Sequence, residues 1–489
     1  MKTSISARFA LVLFSSLLLL QGCAGETAGV SGNAVSPPSA DGQNEQTADE
    51  DRPVLSRPAK TSEEDEPLEL VLYYDSYNRE YLDLLIGNFS EYYPEVTVLC
   101  RDYTDMSPRE AKAQLAGELK NGTAPDLILD YVNAGHSSIP GTMHLLDNGE
   151  FLPLDRLNPD LADCNKTVLT CGEYHGTQYF LPANFSLGYL FTTDFHMTDL
   201  GILDGSKVTM AEFSGKIAQY YKDYPGNYAF PELFSSTYLL YHDGVSVFDP
   251  VTGELLPEDD LRRITEEYAG YYREGLFPDF LTSVDYSGAT AAHNGSMTDA
   301  FRDGGLMFFT APHFLGTLDT LMLFNRTYTL LNEAGETPLV FTLPTADGKA
   351  PCPMMNWYFA VNADTENATA VKWFLENAVY YETQCQIGWR YGLPVSDYAL
   401  DTIYTFYTEP DTYVRRQYLG IFPLFGEFSR DFVDSYFDPI KAMRKTTFTD
   451  RTVMNGISNY AWEAERGEKT PDELWEDLWM QLEEYVNAE

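Results

Sequence analysis

Positive charge is scarce in this chain: 32 Lys and Arg stand against 74 Asp and Glu in 489 residues, a formal net charge of −42. Such a field repels phosphate backbones and anionic headgroups, which excludes nucleic acid as a partner and favours neutral or cationic ligands. Acidity also keeps an exported chain soluble, so it names no substrate by itself. Histidine is scarcer still. His136, His144, His175, His196, His242, His293 and His313 form no helical pair at metal-ligand spacing and are read as satisfied or exposed side chains, with no metal and no cofactor. Gly-x-Ser-x-Gly, His-Glu-x-x-His, Walker A and Gly-x-Gly-x-x-Gly are all missing, which removes the linear signatures of several hydrolases and of nucleotide binding. The paired carboxylates of a glycoside hydrolase leave no such signature, because their pairing is spatial. A secreted carbohydrate-active hydrolase therefore stays as the alternative to a binding protein. Asp243-Gly244 and Asp249-Pro250-Val251-Thr252-Gly253 lack the ligand spacing of a calcium loop and read as turns.

Six cysteines are too few and too irregular for a disulfide framework. Apart from Cys23 they number five (Cys100, Cys164, Cys171, Cys352 and Cys385), so at least one stays free or pairs between molecules. Cys164 and Cys171 are near enough in sequence to bridge, but spacing does not set the geometry.

Hydrophobic residues make up 44% and charged residues 22%, ordinary values for a soluble chain and wrong for a polytopic membrane protein. At 489 residues the chain exceeds what one core holds and fits two or three. Aromatics are abundant, with 34 Tyr and 29 Phe; most must be core, while the Tyr excess also suits half-wet recognition surfaces.

The N-terminus reads as an address. Lys2 and Arg8 precede an apolar run from Phe9 to Leu20, long enough for an export signal and too short for a permanent span. Leu20-Gln21-Gly22-Cys23 resembles the lipobox of bacterial lipoproteins, with Gln21 where that pattern has a small or β-branched residue. The resemblance implies a signal peptide over 1–22 and lipidation of Cys23. From 23 to 67 the chain has few large apolar residues, carries Pro37-Pro38, and holds the acidic clusters Asp49-Glu50-Asp51 and Glu63-Glu64-Asp65-Glu66. Such a segment cannot build a core and reads as a disordered, extended tether.

Patterning changes at Leu68. Leu68–Tyr74 reads as a buried strand ending at Asp75-Ser76; Tyr81, Leu84, Leu85, Phe89 and Tyr92 recur at helical spacing until Pro94. Glu95–Cys100 reads as a strand, Glu110–Lys120 as a helix and Pro125–Asp130 as a short buried strand. This β-α-β-α-β order predicts an α/β fold with a mostly parallel sheet, whose ligands sit beyond the carboxyl ends of the strands.

The opening strand and helix, the run Ala116–Leu129 and Leu145-Leu146-Asp147-Asn148-Gly149-Glu150-Phe151-Leu152-Pro153-Leu154-Asp155 resemble the first lobe of extracellular solute-binding proteins, the maltose-binding-protein-like capture subunits of ABC importers. Tyr179–Ser186 is similar to the first crossing between lobes, Thr342–Gly348 to the second and Gly392–Val395 to the third. Ala300–Met307, Asn356–Asn362 with a helix over Ala368–Tyr381, and a terminal helix opening at Thr470-Pro471-Asp472-Glu473 continue the order. The last of these is also a physical start signal, with Thr470 as cap, Pro471 at the first position and Glu473 closing a capping box.

The resemblance implies a type II periplasmic-binding-protein-like architecture: two lobes, each a mostly parallel sheet flanked by helices, joined by a multi-crossing hinge. Lobe 1 would be 68–182 plus 345–394, and lobe 2 183–344 plus 395–489. It further implies a monomeric, membrane-anchored, extracytoplasmic protein that closes on a small solute, carbohydrate by preference, and hands it to ABC permease subunits without chemical change. An accessory ligand sensor on the same scaffold is a further alternative.

Candidate ligand residues lie just past strand ends: Tyr74, Asp75 and Tyr77 after the first strand, and Asp130 and Tyr131 after the third. Asn184 sits at the first crossing, and Asn356 and Trp357 where relatives present an aromatic. Rings stack on the apolar faces of sugars while carboxylates and amides meet hydroxyls. Each has a plainer role too: Tyr74 as core, Asp75 and Asp130 as helix caps, Trp357 as packing between lobes. If Trp357 serves the ligand, Trp357→Ala weakens binding by about 1 kcal/mol or more and leaves unfolding of the unliganded form nearly unchanged.

Overall fold

The computed structural model describes residues 68–487 except 133–138, 203–207, 225–226, 228, 231–236, 250–253, 272–296, 303–305, 310–317, 389–390, 410–427, 449–450 and 468. The export signal, Cys23 and the tether therefore lie outside the described residues, as do Gly304 and Gly305 of the Ala300–Met307 segment.

The organising element is a six-stranded sheet built from β1 (Leu68–Tyr74), β2 (Val96–Asp102), β3 (Leu127–Tyr131), β4 (Phe180–Ser186), β7 (Met354–Val361) and β8 (Leu393–Pro394). Its spatial order is β8-β4-β7-β3-β1-β2. β1 pairs in parallel with both β2 and β3, whereas β7 runs antiparallel to β3 and β4, and β8 antiparallel to β4. β1, β2, β3 and β4 thus point one way and β7 and β8 the other, and the parallel pairings are those of β1 with β2 and β3, the three strands in which the alternating pattern is read.

Period-two alternation divides each strand between two layers. Leu70 and Leu72 of β1, Leu127 and Leu129 of β3 and Phe359 and Val361 of β7 turn to one face, where Tyr81, Leu82, Leu85 and Phe89 of α1 (Arg79–Tyr92) and Val371, Phe374 and Leu375 of α8 (Ala368–Val379) cover them. Tyr73, Ile128, Tyr358 and Ala360 turn to the other, against Ala111, Leu115 and Leu119 of α2 (Pro108–Lys120). The start of α2 is dictated locally. Ser107 and Glu110 form a reciprocal capping box and Pro108 takes the first helical position, where its missing N–H is harmless. α3 (Thr142–Asp147) completes this layer with Leu145 and Leu146.

After β4 the chain passes through Leu187 and Gly188 into β5 (Tyr189–Thr193), which pairs antiparallel with β6 (Pro338–Thr342). The return path is Leu343–Pro353, and the Leu343 amide donates to the Gly188 carbonyl at 2.6 Å, so the two connections run side by side. On one side of the β5–β6 ribbon, Leu190 and Phe341 join a core with Phe213 and Ile217 of α4 (Met210–Asp223), Leu239 and Leu240 of α5 (Thr237–Asp243), and Leu261 and Tyr268 of α6 (Glu258–Tyr271). On the other side, Tyr189, Phe191 and Val340 join Phe324 and Tyr328 of α7 (Leu318–Ala334), a cluster continuous with the α1 face of the sheet. In the segments expected to form the second lobe, where a mostly parallel sheet is implied, the described residues hold this antiparallel pair, an isolated bridge, Phe248 to Leu255, and single bridge residues at Asn227 and Leu306, while the Phe309 amide donates to the Phe191 carbonyl of β5 at 2.8 Å.

The expected helix over 368–381 is two helices. α8 stops at Val379, Tyr380 is extended at ψ 139°, and α9 (Tyr381–Ile387) begins directly after it. α10 (Asp397–Thr408), α11 (Arg430–Ala442) and α12 (Arg451–Arg466) follow. α13 (Pro471–Asn487) opens as its sequence predicts, with Thr470 and Glu473 bonded reciprocally. Cys100 lies exposed on edge strand β2, Cys164, Cys171, Cys352 and Cys385 are buried, and all five are free thiols, so the possible bridge between Cys164 and Cys171 is not formed. Among the described residues no helix is long and apolar enough to cross a membrane.

Candidate functional site

Three strand ends converge where the sheet meets solvent. Asp75 follows the last residue of β1, Tyr131 closes β3, and Trp357 near the start of antiparallel β7 stands opposite Tyr131 in the register. An open pocket of about 270 Å³, adjoining solvent included, lies over this point; Asp75, Tyr77, Asp130, Tyr131 and Trp357 line it together with Asn78, Pro108, Lys112 and Leu129.

The floor is a buried ion cluster. Lys112 Nζ is 2.5 Å from Asp130 Oδ1 and 3.5 Å from Asp75 Oδ2, with all three side chains at most 5% exposed. Asp75 Oδ1 accepts the amides of Tyr77 and Asn78, each at 2.9 Å, and its Oδ2 accepts the Tyr73 hydroxyl at 2.9 Å. Asp130 accepts its own neighbour's amide, that of Tyr131, at 2.8 Å and the Tyr358 hydroxyl at 2.9 Å. Charges out of water demand such saturation, because an unpaired buried charge costs several kcal/mol. Tyr73 stays a hydroxyl donor: burial, with the nearby Asp75 and Asp130 charges, pushes its pKa far up. The Lys112 ammonium also lies 4.5 Å from the centre of the Tyr73 ring.

Asn78 is the bracket that holds the two strand ends. Its Nδ2 donates to the Tyr73 carbonyl at 3.1 Å and the Leu129 carbonyl at 3.0 Å, and its Oδ1 accepts the Asp75 amide at 2.9 Å. Above the floor stand the rings. Tyr131 and Trp357 pack with centroids 4.5 Å apart, and Trp357 meets Tyr81 edge-on at 5.4 Å. Tyr81 in turn stacks on Tyr391 at 4.5 Å and 4°. Tyr77, 41% exposed, forms the open rim; burial and the Asp75 charge raise its pKa.

Five of the eight candidate residues therefore line one pocket, and three do not. Tyr74 points to the α1 side, where its hydroxyl donates to Asp83 Oδ1 at 2.9 Å. Asn184 is fully buried; its Oδ1 accepts the Trp357 amide at 3.3 Å and its Nδ2 reaches the Tyr81 hydroxyl at 3.4 Å. Asn356, 6% exposed, accepts the Ser186 hydroxyl at 2.9 Å, and its Nδ2 has no partner among the described residues. Alternation explains the last case: Asn356 and Trp357 are adjacent on a strand and must face opposite ways. The plainer reading of Asp75 as a helix cap fails as well, because α1 is preceded by Asn78 and has no side-chain cap.

Lys112, Asn78 and Tyr391 were not legible as site residues. A lysine within an amphipathic helix reads as solvent-facing, and Tyr391 stands far along the chain from Tyr81. Asp75-x-x-Asn78 is a spacing at which short polar side chains bond local backbone, and it offered a usable signal. Of the histidines, His242 departs from the satisfied reading. Its Nε2 meets the Leu343 carbonyl at 2.6 Å while the buried Nδ1 has no hydrogen-bond partner among the described residues. Among the described residues no group of His, Cys, Asp and Glu could hold a metal ion.

No protein-family model matches the chain, and no curated relative does. Solved structures do match. The sugar-binding protein MalE from the phytopathogen Xanthomonas citri is 14% identical, with a TM-score of 0.55 over 86% of this chain and 97% of that one. The ABC substrate-binding protein Lmo0181 from Listeria monocytogenes, solved with cycloalternan, is 14% identical with a TM-score of 0.54 over 87% and 100%. The GacH receptor of Streptomyces glaucescens, solved unliganded and with acarbose, is 14% identical with a TM-score of 0.52 over 86% and 98%. At such identities the likeness is one of fold: the chain has the α/β fold of extracellular solute-binding proteins of the maltose-binding type.

Proposed function

We propose that this protein is an extracytoplasmic solute-binding lipoprotein that captures a carbohydrate and delivers it, unchanged, to an ABC permease. The observation that carries this reading is the pocket at the carboxyl ends of β1 and β3, where Tyr77, Tyr131 and Trp357 stand over a saturated acid–lysine floor. Rings offer flat apolar faces to sugar C–H groups, and the fixed carboxylates orient the polar rim without leaving a buried charge unpaired. The matched structures support it, since their names record sugar, cycloalternan and acarbose as ligands.

In this reading 1–22 is an export signal, Cys23 carries the lipid, and 23–67 is the tether. The body divides into lobe 1, 68–182 plus 345–394, and lobe 2, 183–344 plus 395–489, which close on the ligand as a monomer. The side-by-side connections at Leu187-Gly188 and Leu343–Pro353 suit two strands of a hinge.

The test is a thermal-shift screen of the purified protein against neutral and acidic oligosaccharides, amino acids, peptides and polyamines, followed by calorimetry. A carbohydrate that raises the midpoint in proportion to its concentration is the expected result, since a ligand of the native state stabilises it. A shift only with peptides or polyamines overturns the sugar assignment. Release of reducing ends from a glycan, abolished by Asp130→Asn, replaces capture by hydrolysis. Membrane association lost on Cys23→Ala is the expected outcome for the anchor.

A further inference from the structure

The pocket's charge is unequal. Two carboxylates, Asp75 and Asp130, share one ammonium, Lys112, and among the described residues that line the pocket Lys112 is the only cation. That cation is turned inward: two of its contacts are the carboxylates themselves, and its side chain is 5% exposed. An entering ligand therefore meets aromatic faces and a residual negative charge held in a place that water screens poorly. The wider field has the same sign, with a formal net charge of −42.

We propose that this pocket admits uncharged sugars and rejects anionic ones, uronates above all, with the net negative charge of the Asp75–Asp130–Lys112 cluster enforcing the discrimination and Lys112 as the positioning residue that keeps both carboxylates in place. The inference rests on the carbohydrate reading and sharpens it from sugars in general to neutral sugars. Its physical basis is negative selection. A uronate carboxylate brought over Asp75 and Asp130 finds among the lining residues no cation other than Lys112, which those two carboxylates already engage, and like charges at close range in a half-dry site repel strongly. A hydroxyl in the same place can donate to a carboxylate lone pair, so a neutral sugar bears no such penalty.

The experiment is calorimetric titration of the full-length mature protein with tetrasaccharides of glucose, xylose, mannose and galactose, and with tetragalacturonate and tetramannuronate, in low and in 0.5 M salt (about the concentration that shortens the Debye length to a few ångströms). The expected result is that at least one neutral tetrasaccharide binds, that both uronates bind at least tenfold more weakly than the best neutral sugar, and that salt narrows the gap. Asp130→Asn, which matches the carboxylate in shape and brings the lining's charges into balance, is expected to narrow it further. A uronate that binds as tightly as the best neutral sugar overturns the inference and leaves sugar capture standing. A gap unmoved by salt overturns it too, even if Asp130→Asn does not fold. Binding of no saccharide in either class removes the carbohydrate reading and this inference together.

Discussion

The carboxylate of Asp243, at the end of α5, accepts the amide of Ala346 with both oxygens, each at 3.1 Å, and so ties the return connection between β6 and β7 to the helical core. Tyr268 donates to the same carboxylate, and Arg444 reaches the Asp243 carbonyl at 3.4 Å and Asp347 Oδ2 at 3.0 Å. Next to it stands His242, whose Nδ1 has no hydrogen-bond partner among the described residues.

Burial shifts these two neighbours in opposite directions. Burial, only partly offset by the bonds from Tyr268 and Ala346, raises the Asp243 pKa from 3.8 to about 6. The native state then holds a proton that the unfolded state has lost, and stability falls as pH rises through this window, by roughly 3 kcal/mol at about 1.36 kcal/mol per unit. Burial lowers His242 from 6.5 to about 4. There the unfolded state holds the extra proton, and stability rises with pH by a similar amount. Relative to wild type, Asp243→Asn should therefore gain stability as pH rises from about 4 to 6, and His242→Gln should lose it. Urea midpoints measured at half-unit steps check both signs, and equal slopes in all three proteins contradict the assignment.

Lys112→Met leaves Asp75 and Asp130 buried beside one another with no counter-charge. Breaking a buried pair in this way costs about 3–5 kcal/mol. Adding Asp130→Asn to it should recover part of the loss, because the orphaned charge goes with it. A double-mutant cycle from chemical denaturation measures the coupling, and additive losses would mean that the 2.5 Å contact contributes nothing.

Trp357→Ala was expected from sequence to spare the unliganded fold. The structure reverses that expectation. Trp357 is 7% exposed and belongs to the same apolar cluster as Leu72 and Leu129. Removing a ring so enclosed costs about 3–5 kcal/mol, so the unliganded midpoint should drop together with sugar affinity. Tyr131→Ala, from a half-buried position, is the cleaner probe: a smaller loss of stability and a loss of affinity of about 1 kcal/mol. Calorimetry and thermal scans of both variants separate the two effects.

Gly392 adopts φ +147°, and a Cβ there would stand 2.8 Å from Asn356 Nδ2 and 2.9 Å from the Phe185 carbonyl. Backbone in this region suits glycine alone, and the close neighbours include main chain that cannot move aside. Gly392→Ala should destabilise by about 1–3 kcal/mol without touching the pocket lining; a thermal midpoint within a degree of wild type would show that the β4–β8 junction yields.

Much of this was legible along the chain. Leu68–Tyr74, the helix stopped by Pro94, and the Thr470–Glu473 start are local statements, written in side-chain periodicity and capping chemistry. The structure places them within a residue or two of where those rules put them. The rule that ligands gather at strand carboxyl ends points to Tyr74, Asp75, Tyr77, Asp130 and Tyr131, and all but Tyr74 line the pocket.

Other features could not be read locally. Whether Asn356 or Trp357 faces the pocket depends on the register of β7 against β3, and a strand's facing is set by its partners rather than by its own composition. Lys112 became part of the floor only because α2 packs across the face that carries Tyr73, bringing together residues 18 apart in Lys112 and Asp130. The amino-acid order determined elements such as Leu68–Tyr74 and the helix opening at Pro471, and the acidic character of the whole, because those follow from short-range sterics and composition. Tertiary packing alone decided which charges were buried together and which rings met, because desolvation and contact are properties of neighbours in space.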